Sequence, residues 1–174
     1  ILSLAVAGVY VQREYHRFYP AGEVAAQVLG FTNIDDEGQE GLELAFDDWL
    51  RGTPGKKKVL KNRYGQIVRD IKPLEDAEAG RTLALSLDLR VQYHAYRELK
   101  TAMQRYKAES GSIVILDVEN GEVLAMVNQP SFNPNDRSSL EAAFVRNRAV
   151  IDLFEPGSTV KPFTLAVALQ SGKY

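Results

Sequence analysis

A serine and a lysine stand three residues apart near the end of this 174-residue chain, at Ser158 and Lys161. On a helix, that spacing places both side chains on one face, one turn apart. A serine hydroxyl is a weak nucleophile near neutral pH and needs an adjacent base, which a lysine amine can provide when burial or nearby charge lowers its pKa. The pair therefore predicts nucleophilic catalysis, with Ser158 as the nucleophile and Lys161 as the general base.

The residues around the pair predict how it is held. A serine and a lysine at this spacing occur by chance about once in a chain of this length, so the spacing alone is weakly specific. Pro156-Gly157 precedes the serine and favours a sharp turn, and Pro162 follows the lysine. A proline deep in a helix costs about 3 kcal/mol, but in the first turn it has no intrahelical bond to lose. We therefore expect a helix over residues 158–170, whose leading end favours developing negative charge.

The chain changes pattern near residue 80, which indicates two domains with an α+β fold. In the first part, apolar residues at helical spacing over residues 42–50 favour an amphipathic helix with Phe46 and Trp49 in its core. The polar segment at residues 73–80 is the best linker candidate, so we place one domain at residues 1–80 and the start of another at 81–174. In the first part we also expect four strands and one more helix. The strands are at residues 9–11, 18–19, 56–60 and 66–71, and the helix is at residues 23–29.

The second part predicts a long helix and a hairpin ahead of the serine segment. Alternating leucines favour a strand at residues 82–87, after which Asp88 can cap a helix. Asn120-Gly121 between two apolar runs is a strong hairpin signal, and it joins expected strands at residues 112–118 and 122–127. The residues expected on one buried face of the helix are Leu89, Tyr93, Tyr96, Leu99, Met103 and Tyr106.

Composition limits the classes of function. The formal net charge of −2 argues against a nucleic-acid partner, which calls for a basic surface, and the chain has no cysteine. The apolar run at residues 1–11 is shorter than the ~20 residues that span a bilayer, and together with the abrupt C-terminal end it indicates an internal piece of a longer protein. We expect no cofactor and no metal, because the acidic turn at residues 33–38 lacks the glutamate that a calcium loop needs. The lysines at 56–58 indicate a solvated strand end or a contact with anionic lipid or glycan.

Residues 155–163, which read Glu-Pro-Gly-Ser-Thr-Val-Lys-Pro-Phe, closely resemble the first active-site motif of class B penicillin-binding proteins. Other stretches resemble further motifs of that family, so that the resemblance covers nearly the whole chain. Together they match its septal, cell-division (FtsI-like) branch better than its elongation branch. These stretches are Arg-Phe-Tyr-Pro-Ala-Gly at 17–22 with Gly-Phe-Thr at 30–32, Glu-Gly-Leu-Glu at 40–43, Asn-Arg-Tyr-Gly at 62–65, and residues 121–126 with 130–135.

The resemblance implies a peptidoglycan D,D-transpeptidase on the periplasmic face of the bacterial inner membrane, with its anchor outside this sequence. Its first domain would be a non-catalytic pedestal, and its second would begin an antiparallel sheet with the serine helix against it. Ser158 would attack the D-Ala-D-Ala bond of a stem peptide, Lys161 would take its proton, and the Ser158 N–H would form half of an oxyanion hole. The implied partners are a stem peptide or lipid-linked precursor, β-lactams and cell-division membrane proteins.

The sequence also departs from the family pattern. The S-x-N and K-T-G motifs that the family needs do not follow Ser158 here, so we expect this chain to be inactive alone. Two alternatives stay open: a β-lactam hydrolase or sensor that uses the same serine, and a non-catalytic module that docks division partners. The charged residues of the motifs are expected to act structurally, with Arg17, Glu40 and Glu43 in salt bridges and Arg146 and Arg148 bracing the loop before the serine.

Overall fold

The computed structural model describes residues 16–138 and 140–173 and confirms the α+β architecture. Two antiparallel hairpins are joined by one long helix, which lies on the second hairpin, and short helices precede the first hairpin and follow the second. The strand expected at residues 9–11 lies outside the described residues, and within them no helix is long and apolar enough to cross a bilayer. The helices are α1 (Ala26–Leu29), α2 (Gly41–Ala45), α3 (Asp47–Leu50), α4 (Leu89–Tyr106), α5 (Ala142–Val145), α6 (Arg148–Ile151) and α7 (Lys161–Gln170); the strands are β1 (Lys56–Lys61), β2 (Ile67–Glu75), β3 (Gly111–Leu116) and β4 (Val123–Gln129); and 3₁₀ turns cover Gly22–Val24 and Gly157–Val160.

The core forms where α4 packs on β3 and β4. As predicted, Asp88 caps α4, and its carboxylate accepts the backbone N–H groups of Arg90 and Val91. The hairpin signal is also confirmed, because β3 and β4 pair antiparallel around the Asn120-Gly121 turn. Burial of the apolar residues between helix and hairpin removes their surface from water, which is the main favourable term in folding. The buried cluster consists of Ala95, Tyr96, Leu99, Ala125 and Val127.

The buried face of α4 differs from the predicted one. Tyr96 and Leu99 are buried as expected, but the most deeply buried residue of the helix is the polar Gln92, which is 1% exposed. Its Nε2 donates to Val24 O at 2.7 Å and to Met126 O at 2.8 Å, while its Oε1 accepts from Met126 N at 2.8 Å. A buried amide costs little once its hydrogen bonds are made, and residue type alone cannot show that. The predicted face residues that are more than half exposed are Leu89, Tyr93 and Tyr106.

Two expected strands, at residues 18–19 and 82–87, are absent from the described residues. At residues 18–19, Tyr19 N donates to Asn135 Oδ1 at 2.9 Å and Asn135 Nδ2 donates to Tyr19 O at 2.9 Å. Residues 82–87 also make no ladder, although Ser86 Oγ donates to Val123 O at 2.8 Å and Asp88 N donates to Leu124 O at 3.0 Å. The alternation therefore predicted a strand that does not form, because a strand needs a neighbouring ladder that residue type alone cannot identify.

The first hairpin is longer than predicted. β1 and β2 flank the expected turn at residues 62–65, but β2 continues to Glu75, so the segment expected as a linker begins inside a strand. Pro73 is compatible with this strand because a two-stranded sheet has only edges, where a missing N–H is tolerated. Beyond β2, Thr53 and Glu78 exchange backbone hydrogen bonds of 2.8 and 2.9 Å. The side chains of residues 56–58 are exposed, and Lys56 pairs with Glu75 at 2.8 Å.

Both short helical regions of the first part are interrupted. The expected helix at residues 23–29 is a 3₁₀ turn followed by α1, and the one at 42–50 breaks at Phe46 into α2 and α3. The prediction that Phe46 and Trp49 lie in a helix core is wrong, since their exposed fractions are 41% and 44%. The Arg81 guanidinium lies 4.6 Å from the Trp49 ring centroid, and Trp49 Nε1 donates to Thr82 O at 3.2 Å. A cation and a backbone carbonyl thus cover the indole in place of apolar packing.

Gly30 and Gly41 let two backbone segments of the first part touch. Gly30 follows α1 with φ of 77°, and Gly41 opens α2 with φ of 58°. A Cβ built on Gly30 would lie 1.7 Å from Glu40 O, and one built on Gly41 would lie 2.7 Å from Gly30 N. Only glycine combines this conformation with this approach, which explains why both positions fall inside motifs that the sequence singled out.

We expect replacement of Gly30 by alanine to lower the free energy of unfolding by more than about 4 kcal/mol, because the backbone must separate to admit the methyl group. Gly65 is a matched control, since its φ is 79° and a Cβ there meets nothing within 4 Å. Gly65→Ala should cost only about 1–2 kcal/mol, the strain of the left-handed conformation. Urea denaturation of both variants checks this, and equal losses would contradict the close approach at Gly30.

We also expect Asp88→Asn to lower the melting temperature by about 2–4 °C at neutral pH, because the helix start favours a charged acceptor. Hydrogen bonds from Arg90 hold the pKa of the Asp88 carboxyl well below its ordinary value of 3.8. A depressed pKa stabilises the fold above the unfolded value, so the difference from wild type should shrink as pH falls below 3.8. Thermal unfolding across this range measures it. A difference that does not change in acid would contradict the assignment.

Candidate functional site

The predicted serine helix starts as a 3₁₀ turn, which we call the serine turn, over Gly157–Val160, and continues as α7. Gly157 turns the chain with φ of 55°, and Pro162 lies in the first turn of α7, as the sequence predicts. Thr159 N donates to Pro156 O at 3.2 Å, which closes the turn. Short-range chemistry alone thus forms the leading end of this helix.

The serine turn places Ser158 and Lys161 on one side of the backbone. Lys161 N donates to Ser158 O across the turn. In a 3₁₀-helix, the side chains of residues three apart are eclipsed. The side chains of Ser158 and Lys161 therefore project in more nearly the same direction than they would on an α-helix. Both side chains are exposed, and neither has a hydrogen bond or an ion pair within the described part of the chain. The hydroxyl of Ser158 and the amine of Lys161 are therefore exposed to solvent.

The Ser158 N–H group is also open. The first N–H groups of a helical segment have no intrahelical partner, and Ser158 N has none among the described residues. This N–H lies at the positive end of the helix dipole. A carbonyl oxygen that gains negative charge could be stabilised there, which is the chemistry of an oxyanion hole.

Arg146 and Arg148 brace the segment before the serine turn, as the sequence predicts. Arg146 Nη2 lies 2.6 Å from one Asp152 carboxylate oxygen, and Arg148 Nη1 lies 2.8 Å from the other. The two guanidinium groups thus bind both oxygens of one carboxylate and fix the end of α6. Charge-assisted pairs of this kind add geometric definition as well as energy.

The first-part motifs are joined by the ion pair between Arg17 and Glu43, with Nε and Oε1 separated by 3.2 Å. Burial raises the pKa of the Glu43 carboxyl, and the charge of Arg17 offsets only part of that desolvation. Burial likewise raises the pKa of the Tyr19 hydroxyl, whose oxygen accepts from Thr32 N at 3.0 Å. The expected salt bridge of Glu40 is absent from the described residues, where this side chain is exposed. The pair is therefore structural, as predicted for two of the three residues.

Sequence reasoning missed the uncharged residues that connect the first-part motif with the loop after β4. Gln27 Nε2 donates to Pro130 O and to Phe144 O, each at 3.0 Å. Ser131 Oγ donates to Glu23 O at 2.7 Å, more than one hundred residues away in sequence. Ser131 lies in the quoted stretch 130–135, whereas Gln27 falls between the stretches 17–22 and 30–32. Glutamine and serine carry no charge or periodicity that marks such a contact.

Comparison with protein families gives two matches along the chain. The model for the penicillin-binding protein dimerisation domain matches residues 3–85. The model for the penicillin-binding protein transpeptidase domain matches residues 111–174, which include the serine turn. The matches follow each other in the order expected from the motifs.

Curated relatives match over the whole chain. Peptidoglycan D,D-transpeptidase FtsI of Escherichia coli K12 is 51% identical over 172 residues, which are 99% of this chain and 29% of that protein. The probable peptidoglycan D,D-transpeptidase PbpC of Pseudomonas aeruginosa is 48% identical over 174 residues, which are 100% of this chain and 31% of that protein. The chain thus spans about 30% of the length of these relatives.

Solved structures share the fold. Penicillin binding protein 3 from Mycobacterium tuberculosis matches with a TM-score of 0.74 and 33% identity, over 89% of this chain and 31% of that one. Penicillin Binding Protein 2X from Streptococcus thermophilus matches with a TM-score of 0.69 over 91% of this chain and 25% of that one, and its 24% identity supports the fold alone.

We expect Asp152→Asn to loosen the segment that leads to the serine turn without unfolding the protein. Half-exposed ion pairs contribute about 0.2–1 kcal/mol each, so global stability should change little. The amides of residues 153–161 should exchange faster, because both guanidinium groups lose their carboxylate. Hydrogen exchange with peptide-level mass spectrometry measures this. Glu98→Gln, which removes the exposed Arg97 pair on α4, is the control and should leave that segment unchanged; equal exchange in both variants would contradict the brace.

Proposed function

The chain belongs to the penicillin-binding protein family, and from that premise we propose that its full-length protein is a serine-type peptidoglycan D,D-transpeptidase. The observation that carries the proposal is the serine turn, where Ser158, Lys161 and an unpaired N–H group meet at an exposed helix start. The relatives named D,D-transpeptidases, which share about half of its residues, support the same reaction.

The acylation step begins with the hydroxyl of Ser158. Its Oγ attacks the carbonyl carbon of the penultimate D-Ala of a stem peptide, while the neutral amine of Lys161 takes the hydroxyl proton. The Ser158 N–H donates to the oxyanion of the tetrahedral intermediate. The C–N bond then breaks, the terminal D-Ala leaves with the proton from Lys161, and an ester on Ser158 remains.

The transfer step reverses these roles. The amine of a neighbouring stem peptide attacks the ester carbonyl, and Lys161 accepts the proton that this amine loses. The ester C–O bond breaks, Ser158 Oγ recovers a proton from Lys161, and an amide crosslink forms. Because one lysine serves both steps, the helix spacing that holds it three residues from the serine is the central requirement.

The finer parts of the proposal follow the FtsI relatives. We propose a septal enzyme on the periplasmic face of the inner membrane, held by an anchor outside this sequence and acting with cell-division membrane proteins. Its chain would divide near residue 80 into the end of a pedestal and the start of the transpeptidase domain. Structures of a related protein complexed with aztreonam and with ampicillin support β-lactams as ligands that acylate the same serine.

Two other functions make different predictions. A β-lactam hydrolase or sensor would use the same serine, but a hydrolase would release the acyl group rapidly. A non-catalytic docking module would not need the serine. The match of residues 3–85 to a dimerisation domain favours the transpeptidase over a lone hydrolase domain.

We expect Ser158→Ala in the full-length protein to abolish labelling by a fluorescent penicillin, because the acyl acceptor is removed. Lys161→Arg should lower the acylation rate by at least about 10²-fold, since arginine keeps the charge but cannot accept a proton. Ser171→Ala changes an exposed serine ten residues beyond Lys161 and should label like wild type.

Gel fluorescence and the release rate of the label separate the alternatives. Labelling that survives Ser158→Ala would show that the nucleophile is another residue. Release within seconds would indicate a hydrolase, whereas a label that persists agrees with a transpeptidase.

A further inference from the structure

The Asn128 side chain joins three elements that precede the serine turn. Asn128 lies in β4 and is 1% exposed. Its Oδ1 accepts from Ser112 Oγ in β3 at 2.7 Å and from Ala149 N in α6 at 2.8 Å. Its Nδ2 donates to Asn147 Oδ1 at 2.9 Å. Both lone pairs of its carbonyl oxygen and one of its two N–H groups are therefore used.

Asn128, which lies in β4, makes the capping hydrogen bond at the start of α6. The first N–H groups of a helix have no intrahelical partner, and the residue at the N-cap position usually accepts one of them. Asn147 holds that position in α6, yet its side chain makes no cap hydrogen bond, and its oxygen instead accepts from Asn128. Asn128 Oδ1 accepts a hydrogen bond from the N–H of Ala149, the second residue of the helix. Since the cap comes from the sheet, it fixes where α6 lies as well as where α6 starts.

The described chain reaches Ser158 only through this anchored segment. α6 packs on β3 and β4, and Arg146 and Arg148 then hold Asp152. Within the described part of the chain, residues 153–173 make hydrogen bonds only with one another. The placement of the serine turn relative to the sheet therefore depends on residues 146–152.

We propose that Asn128 is a positioning residue for the acylation of Ser158, an inference that rests on the function proposed above. Asn128 does not reach the reacting atoms and acts through Ala149 and Asn147. By fixing α6, it sets the point from which the chain runs to Ser158, and with it how Ser158 Oγ approaches a bound carbonyl carbon. That geometry is exacting, because a displacement of about 1 Å can cost about 10²-fold in rate.

The test is acylation kinetics of the full-length Asn128→Ala variant with a fluorescent penicillin. We expect the first-order acylation rate constant at saturating penicillin to fall at least about tenfold, while the fraction of molecules that become labelled stays unchanged. A purely structural role gives the opposite pattern, since partial unfolding lowers the labelled fraction and leaves the rate constant of the folded molecules as in wild type.

Two controls isolate the cap. Ser112→Ala removes the sheet-side hydrogen bond but leaves the bond from Ala149, so its rate constant should be close to that of wild type. Asn135→Ala also removes two hydrogen bonds of an asparagine side chain, both to Tyr19, and it should lower the melting temperature without changing the rate constant. A fall of the same size in either control would overturn a specific role for Asn128.

Failure of the positioning role and failure of the proposed enzymatic function give different results. If wild type is not labelled, the proposed function fails and the positioning role fails with it. If wild type is labelled and Asn128→Ala reacts with the same rate constant, only the positioning role is overturned. If Asn128→Ala does not fold, Ala149→Pro removes the N–H group that Asn128 accepts, in the first turn of α6 where proline is tolerated, and an unchanged rate constant in that variant overturns the proposal.

Discussion

Side-chain carboxamides bind backbone groups in the interior of this chain that are not paired by a strand. Asn135 satisfies both backbone groups of Tyr19, and Gln92 bridges Val24 and Met126 from inside the core. A buried backbone group without a partner costs about as much as a lost hydrogen bond, so the fold requires these contacts. An amide offers both a donor and an acceptor on one rigid group, which suits it to this role.

This constraint joins parts of the chain that the family comparison separates. The dimerisation-domain match ends at residue 85 and the transpeptidase-domain match starts at 111. Val24 nevertheless packs against the core of α4 and β4, and Gln27 binds the loop that follows β4. Arg137 covers the Phe31 ring and donates to Thr32 O. Motifs on either side of residue 80 therefore stabilise one another.

The serine turn depends on the same core in a different way. Its internal geometry is local, because Gly157, Pro162 and the bond from Lys161 N to Ser158 O lie within six residues. Its placement is not local, since α6 is capped by Asn128 and its end is held by two arginines. A short motif thus places the serine and the lysine at one helix start, while distant residues hold the segment that leads to them.

By itself, the sequence determined the features that depend on neighbours along the chain. These include the Asp88 cap, the Asn120-Gly121 hairpin, the sharp turn at Pro156-Gly157 and a serine three residues before a lysine at a helix start. Family motifs added the ion pair of Arg17 with Glu43, although they also suggested one for Glu40 that the described residues lack.

Only the tertiary structure decided which groups meet across long separations. It buried Gln92 in place of Tyr93, left Trp49 exposed beneath Arg81, and paired Tyr19 with Asn135 rather than with a strand. Local propensity and periodicity report how a segment prefers to fold, but a buried polar side chain is favourable only if a particular partner arrives in three dimensions. That information is distributed over the whole chain, and no short window of sequence contains it.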